Sequence, residues 1–116
     1  MIYMLFFSYL IIGNMEDIRY LKGKIYAVIN EREKKGYVGS TTEPLSVRFS
    51  KHRHDCKKYS HRTSLYRHID NNNWTDWKMT LLEAYPCNNR KALEAREYQL
   101  MNNFNDLEIV NKKRRE

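Results

Sequence analysis

The chain has 116 residues, 41% of them hydrophobic, a size that fits one domain with one small core. Its 21 Lys and Arg residues outnumber its 14 Asp and Glu residues, and the formal net charge of +7 favours a polyanionic partner, most often nucleic acid. Two cysteines are too few for a disulfide framework. They predict reduced thiols in a cytoplasmic or nuclear compartment and argue against secretion.

An almost entirely apolar run occupies residues 1–12. It is too short to cross a bilayer as a helix, and it lacks the preceding basic residue and the cleavage site of a signal peptide. Met15 offers an alternative start. We therefore predict a dispensable or poorly ordered extension at residues 1–14, a single domain over residues 15–116, and no stable membrane association. An interfacial anchor or an additional edge strand is the alternative for this run.

Two strands joined by a polar link are predicted next. Alternating side chains make Lys24–Asn30 a strand. The link at residues 31–36 suits a hairpin turn in which Gly36 adopts a positive φ angle. Tyr37-Val38-Gly39 then forms the returning strand.

A helix is predicted over Leu45–Lys58, because Pro44 suits a first helical turn and apolar residues recur at helical spacing. Arg48 lies beside the buried stripe of this helix. A shorter helix is predicted over Ser64–Ile69. The stripe of the first helix comprises Leu45, Phe49, His52 and Cys56.

A third strand is predicted over Trp77–Tyr85, which Pro86 ends. Its alternation predicts one face shared by several residues. That face comprises Trp77, Met79 and Leu81, with Glu83 following at the same spacing.

A carboxylate interrupts the apolar stripe of the last predicted helix, Lys91–Asn103. Leu93, Glu97, Leu100 and Phe104 recur at helical spacing, and all but Glu97 are apolar. Burying an unpaired charge is costly, so Glu97 is expected to have a partner or a chemical role.

Basic residues cluster in two places. Between Arg48 and Arg67 there are seven basic residues and one acid, Asp55, and all four histidines lie in or beside this stretch. A second cluster is Lys112-Lys113-Arg114-Arg115. Such clustering favours a phosphate-binding face over general solubility.

Five motifs follow one another over roughly residues 24–111. In order, they are Lys24-Ile25-Tyr26, Tyr37-Val38-Gly39, Arg48 with His52 four residues on, Glu97 in a late helix, and Asn111. This ordered set resembles the GIY-YIG nuclease family. The resemblance implies an α+β domain with a small three-stranded antiparallel sheet flanked by helices. It also implies an endonuclease that hydrolyses DNA phosphodiester bonds with one divalent metal ion, Mg²⁺ or Mn²⁺.

Each residue type in that set has a chemical reason. Glu97 would bind the metal ion, since Mg²⁺ prefers oxygen ligands and keeps several waters. Arg48 would hold the scissile phosphate through forked hydrogen bonds. Tyr26 would deprotonate or position the attacking water, and Tyr37 would position the phosphate or the water. A base role for tyrosine needs a nearby cation to lower its pKa, and His52 is the other candidate base.

Substrate contacts are expected from Gly39, Lys51, His61 and Asn111. Asn111 alternatively ties down the end of the chain.

Two departures from the family pattern bear on function. Lys24 stands where the family usually has glycine, and Gly23 lies one place early. Five residues follow Asn111, which leaves no room for the additional DNA-binding module that many members carry. The alternative function is a non-catalytic nucleic-acid-binding module with the same fold.

Overall fold

The computed structural model describes residues 17–60 and 63–111, so the predicted extension at residues 1–14 lies outside the described residues. Over these ranges the chain forms an α+β domain. None of the helices in this part of the chain is both long and apolar enough to cross a membrane. The elements are β1 (Lys24–Asn30), β2 (Lys35–Thr41), α1 (Leu45–Lys58), β3 (Lys78–Ala84), α2 (Arg90–Met101) and β4 (Glu108–Ile109), with short 3₁₀ helices over Ile18–Lys22, Tyr66–His68 and Asp70–Asn72.

The sheet has four strands in the order β3-β1-β2-β4. As predicted, β1 forms an antiparallel hairpin with β2, and on its other side it pairs antiparallel with β3. The prediction of three strands is wrong in its count, because β4 pairs in parallel with β2 through Lys35↔Glu108 and Gly36↔Ile109. A two-residue strand is too short to show a periodicity in the sequence, so it forms where the returning chain meets the open edge of β2.

The turn between β1 and β2 is shorter than predicted. Asn30 closes it, because its side-chain oxygen accepts the backbone N–H of Glu33 at 3.0 Å and its amide donates to the Glu33 carboxylate at 3.0 Å. The positive φ angle, 55°, belongs to Lys34, and Gly36 already lies in the extended part of β2. The prediction that Gly36 adopts a positive φ angle is therefore wrong.

Alternation along β1 sends successive side chains to two cores on opposite faces of the sheet. Tyr26 and Val28 face α1 and pack against its buried Cys56. Ile25 faces α2 and packs against its buried Leu93. The central strand is therefore covered on both faces, and the edge strands β3 and β4 are more exposed.

A register shift between β1 and β3 moves one residue to the opposite face. Tyr26 pairs with Leu81, but the preceding Ile25 pairs with Glu83, so one residue of β3 is bulged out. Strict alternation along the third strand predicted that Glu83 lies on the same face as Leu81. The bulge instead turns Glu83 towards α2, where Arg96 donates to its two carboxylate oxygens at 2.7 and 2.8 Å.

A side chain beyond β4 extends the hydrogen bonding along β2. The side-chain oxygen of Asn111 accepts the N–H of Val38 at 2.9 Å, and its amide donates to the carbonyl of Val38 at 2.7 Å. This is the geometry of a residue that ties down the end of the chain. The predicted contact of Asn111 with substrate stays a prediction.

We expect Asn111→Ala to lower the free energy of unfolding by about 1–3 kcal/mol, because it removes both hydrogen bonds to Val38. Urea denaturation followed by circular dichroism measures the change. Asn105→Ala, in the exposed loop before β4, is the matched control. A loss no larger than that of the control would contradict a structural role for Asn111.

Candidate active site

A polar cavity of about 520 Å³ opens where the sheet meets the first turns of both helices. Residues of β1, β2, α1, α2 and the 3₁₀ helix Ile18–Lys22 contribute to its wall. The structure thus brings together side chains that are far apart in the chain. Among those lining the cavity are four that were predicted as catalytic or metal-binding, namely Tyr26, Tyr37, Arg48 and Glu97.

Tyr26 lies in the central strand, with its ring buried and part of the residue at the cavity wall. Its partner on β2 is Gly39. A Cβ atom at Gly39 would lie 2.5 Å from the Tyr26 hydroxyl oxygen, closer than real Cβ atoms approach. The space taken by the tyrosine ring therefore requires glycine at this position.

His52 of α1 lies behind Tyr26 and is 1% exposed. Its Nε2 atom lies 2.6 Å from the hydroxyl of Tyr26, and its Nδ1 atom lies 2.9 Å from the hydroxyl of Tyr66. Burial, and then the positive charge of Arg48, lower the pKa of His52 to about 3. His52 is thus a neutral imidazole with a hydrogen-bond partner on each nitrogen.

Tyr26 and Tyr37 are both neutral phenols at neutral pH. Burial and then the neighbouring Tyr37 raise the pKa of Tyr26, and Arg48 acts in the opposite direction. Burial and then the charge of Glu97 raise the pKa of Tyr37, again against the effect of Arg48. The charge of Arg48 therefore does not by itself turn either phenol into a phenolate.

Arg48 lies in the first turn of α1, where its N–H donates to the carbonyl of Pro44 at 3.0 Å. It is four residues before His52, so both side chains project from the same side of the helix. The guanidinium interacts with the hydroxyl of Tyr26 and influences the pKa of Tyr37. A fixed positive charge thus lies beside both phenols.

Glu97 reaches the cavity from α2. It lies on the helix face that carries the buried Leu93 and the partly buried Leu100. Ser40 of β2 donates its hydroxyl proton to Glu97 Oε1 at 2.7 Å. The expectation that this carboxylate has a polar partner is confirmed, and the hydrogen bond orients it.

Residues 22–114 match the family model of the GIY-YIG catalytic domain, which is most of the chain. The chain belongs to the GIY-YIG family. GIY-YIG domains are nucleases, so membership supports a phosphodiester-hydrolysing enzyme at the level of the family.

Two solved structures share this GIY-YIG fold. The catalytic domain of the homing endonuclease I-TevI has a TM-score of 0.61 and 22% sequence identity, covering 78% of this chain and 100% of that one. A mutant of the catalytic domain of the intron endonuclease I-TevI has a TM-score of 0.60 and 24% identity, covering 79% and 97%. At these identities the likeness shows the fold alone. A comparison with curated proteins found no match.

Three of the predicted substrate contacts, Gly39, Lys51 and Asn111, are not among the residues that line the cavity. Lys51 is exposed on α1 and forms an ion pair with Glu43 at 2.6 Å. Glu43 itself lines the cavity, so Lys51 lies close to its rim. His61 lies outside the described residues. The substrate contacts predicted for these residues and for Gly39 stay predictions.

Sequence reasoning missed several side chains of this GIY-YIG site. Ser40 directly follows the Tyr37-Val38-Gly39 motif, and its position was the available signal. Tyr66 is fourteen residues from His52 and has no helical or strand spacing to it, so nothing in the sequence pairs them. Arg19 and Arg90, both at the cavity wall, come from segments with no recognised motif.

Burial of a neutral His52 makes the GIY-YIG domain sensitive to acid. An unfolded histidine titrates near pH ~6.5, whereas the pKa of His52 in the fold is about 3. Between these values the unfolded state binds more protons than the folded state. The stability contributed by neutral His52 is therefore complete above pH ~6.5 and is lost as the pH falls towards 3.

Between pH 7.5 and pH 5 we expect His52 to account for a loss of about 2 kcal/mol in the free energy of unfolding. Urea denaturation at the two pH values, on the unaltered chain and on His52→Gln, measures it. Over the same pH interval, the free energy of unfolding of His52→Gln should fall by about 2 kcal/mol less than that of the unaltered chain, whatever the variant's stability at pH 7.5. Equal losses would mean that His52 is not held neutral by the fold.

Proposed function

We propose that this GIY-YIG domain is a metal-dependent DNA endonuclease. The observation that carries the proposal is the meeting of a guanidinium, two phenols and a carboxylate, each from a different element, on one open polar cavity. Phosphodiester hydrolysis needs a cation for the phosphate, an acceptor for the proton of the attacking water, and stabilisation of the leaving oxygen. These side chains are suited to those three tasks.

Arg48 binds the scissile phosphate. A guanidinium offers parallel N–H donors that match two phosphate oxygens, and its charge persists at any working pH. Because Arg48 lies beside Tyr26 and Tyr37, a phosphate held by it is next to both phenols. Arg19 and Arg90, on exposed parts of the cavity wall, are placed to meet neighbouring phosphates.

Tyr26 receives the proton of the attacking water as a neutral phenol. Its hydroxyl proton can pass to His52 Nε2, 2.6 Å away, while its oxygen takes a proton from water. The resulting hydroxide attacks phosphorus, and the leaving oxygen takes a proton from solvent. Burial and the charge of Arg48 lower the pKa of His52, and a phosphate bound to Arg48 offsets the second cause. Tyr37 orients the water or the phosphate from the neighbouring strand.

Glu97 fits the binding of a hydrated divalent cation. Its carboxylate lies in the cavity wall, and the hydroxyl of Ser40 orients it. Mg²⁺ prefers oxygen ligands and keeps several waters, so one carboxylate together with a substrate phosphate can hold it, and Mn²⁺ accepts a similar donor set. Such an ion, when bound, supplies charge stabilisation at the leaving oxygen.

Charge supports DNA as the substrate. The net charge of +7 includes exposed basic residues along α1, whose first turn places Arg48 at the cavity. These residues can bind phosphates on either side of the cleaved phosphodiester bond. Both cysteines are free thiols, which suits the proposed cytoplasmic or nuclear compartment. The exposed basic residues of α1 are Lys51, Arg53, Lys57 and Lys58.

A non-catalytic nucleic-acid-binding module with the same fold is the second candidate. It is favoured by Lys24, which stands where the family usually has glycine and donates its amine to the carbonyl of Glu43 at 3.0 Å. The closely packed glycine is instead Gly23, one residue earlier, since a Cβ atom there would lie 2.5 Å from the carbonyl oxygen of Tyr85. A cleavage assay separates the two candidates.

We expect Glu97→Gln to reduce nicking of supercoiled plasmid at least ~100-fold, because the amide is a poor ligand for a hard cation. The full chain is assayed with Mg²⁺ or Mn²⁺ and with EDTA. DNA affinity should change less than about twofold, since binding depends mainly on phosphate electrostatics. Glu31→Gln, in the exposed turn after β1, is the control. Equal cutting by Glu97→Gln and the control would remove the metal-ligand role.

Cleavage also depends on the parallel N–H donors of the Arg48 guanidinium and not only on its charge. We expect Arg48→Lys to lower the single-turnover cleavage rate about 100-fold. Arg32→Lys is the matched control, because Arg32 is exposed and pairs with Asp76 at 3.4 Å, well away from the cavity wall. A similar loss in both variants would reduce Arg48 to a general contributor of positive charge.

A further inference from the structure

Tyr66 lies behind the proposed active site and is not among the cavity-lining residues. It is 3% exposed, and its hydroxyl oxygen lies 2.9 Å from His52 Nδ1. The hydroxyl of Tyr26 lies 2.6 Å from Nε2 of the same ring. Two buried phenols therefore bracket one neutral imidazole, which has one donor nitrogen and one acceptor nitrogen. One hydroxyl must donate to the ring while the other accepts from it.

The charges at the two ends of this chain of hydrogen bonds decide its direction. Arg48, which can only donate, interacts with the hydroxyl of Tyr26. At the other end, burial and then the negative charge of Asp55 raise the pKa of Tyr66 to about 12, against a smaller opposing effect of Arg48. A cation at Tyr26 and an anion near Tyr66 favour protons that point from Tyr26 towards His52 and from His52 towards Tyr66.

The geometry points to Tyr66 as a positioning residue that holds His52 in the Nδ1–H tautomer. Nε2 is then the acceptor for the proton of Tyr26. The Tyr26 oxygen consequently presents a lone pair to the cavity, as it must in order to receive a proton from water. This inference rests on the proposed function in assigning that step to Tyr26.

The opposite tautomer would reverse the direction of the hydrogen bonds through His52. Nε2–H would donate to the Tyr26 oxygen, and the hydroxyl proton of Tyr26 would point towards the cavity. Tyr26 could then pass no proton to His52 and would donate to the water instead of accepting from it. The hydroxyl of Tyr66 supplies the acceptor for Nδ1–H, and the charges at the two ends of the chain of hydrogen bonds favour this direction.

Among the described residues, three phenols and one guanidinium interact with the His52 ring. Tyr26 faces it from β1, Tyr37 from β2 with ring centroids 6.0 Å apart, Tyr66 from the 3₁₀ helix, and Arg48 from its own helix. None of these four groups is a carboxylate that would favour an imidazolium. His52 therefore stays neutral around pH 7, and the tautomer is the variable that Tyr66 controls.

The tautomer can be measured without any cleavage. Long-range ¹H–¹⁵N correlation spectra of the full chain, labelled with ¹⁵N-histidine and assigned by comparison with His52→Gln, distinguish a protonated nitrogen from a bare one. We expect Nδ1 of His52 to be protonated in the unaltered chain. In Tyr66→Phe the ¹⁵N chemical shifts of the His52 ring should move towards those of the Nε2–H form, which neutral imidazole prefers in water. Tyr85→Phe, which removes a tyrosine hydroxyl near α2, should leave it unchanged.

Cleavage by the same variants tests the consequence. Tyr66→Phe should lower kcat roughly ten- to a hundredfold with DNA affinity unchanged, and Tyr85→Phe should not. An Nε2–H tautomer in the unaltered chain would overturn the inference, as would an unchanged tautomer or an unchanged kcat in Tyr66→Phe. If the unaltered chain binds DNA without cutting it, the proposed function fails, while the tautomer measurement still reports on Tyr66.

Discussion

The structure depends on a buried imidazole held between two phenols. His52 joins α1 to the central strand through Tyr26 and to the following 3₁₀ helix through Tyr66. Either hydroxyl would be costly to leave without a partner at this depth, so the three side chains stabilise one another's positions. Space for the Tyr26 ring in turn requires glycine at position 39. The same arrangement places Arg48, one helical turn earlier, at the cavity.

The two faces of the sheet contribute different chemistry to that cavity. The α1 face brings the guanidinium of Arg48 and the phenols of Tyr26 and Tyr37, which suit phosphate binding and proton transfer. From the α2 face comes Glu97, and Ser40 fixes it to β2. The strands β1 and β2 separate the cation from the carboxylate, so each is held by its own set of contacts.

Much of the fold was predictable because β1 and α1 have strong periodicity and clear boundaries. The strand Lys24–Asn30 and the helix Leu45–Lys58 agree with their predicted limits. The failures have specific physical causes. A β-bulge, which depends on the pairing with β1, turns Glu83 to the other face, and β4 is too short to show a pattern. At the hairpin, the side chain of Asn30 closes the turn earlier than the position of Gly36 suggested.

By itself, the sequence determined which side chains are available for chemistry and, in the regular elements β1 and α1, on which face they lie, because spacing along a strand or helix is a local property. The resemblance of its ordered motifs to the GIY-YIG family, and not spacing alone, indicated Tyr26, Tyr37, Arg48 and Glu97 as one set. Only the tertiary structure decided that His52 is shielded from the cavity and paired with a second phenol. Such a contact joins residues without a shared period and exists only after the helix, the sheet and the connecting segment have packed together.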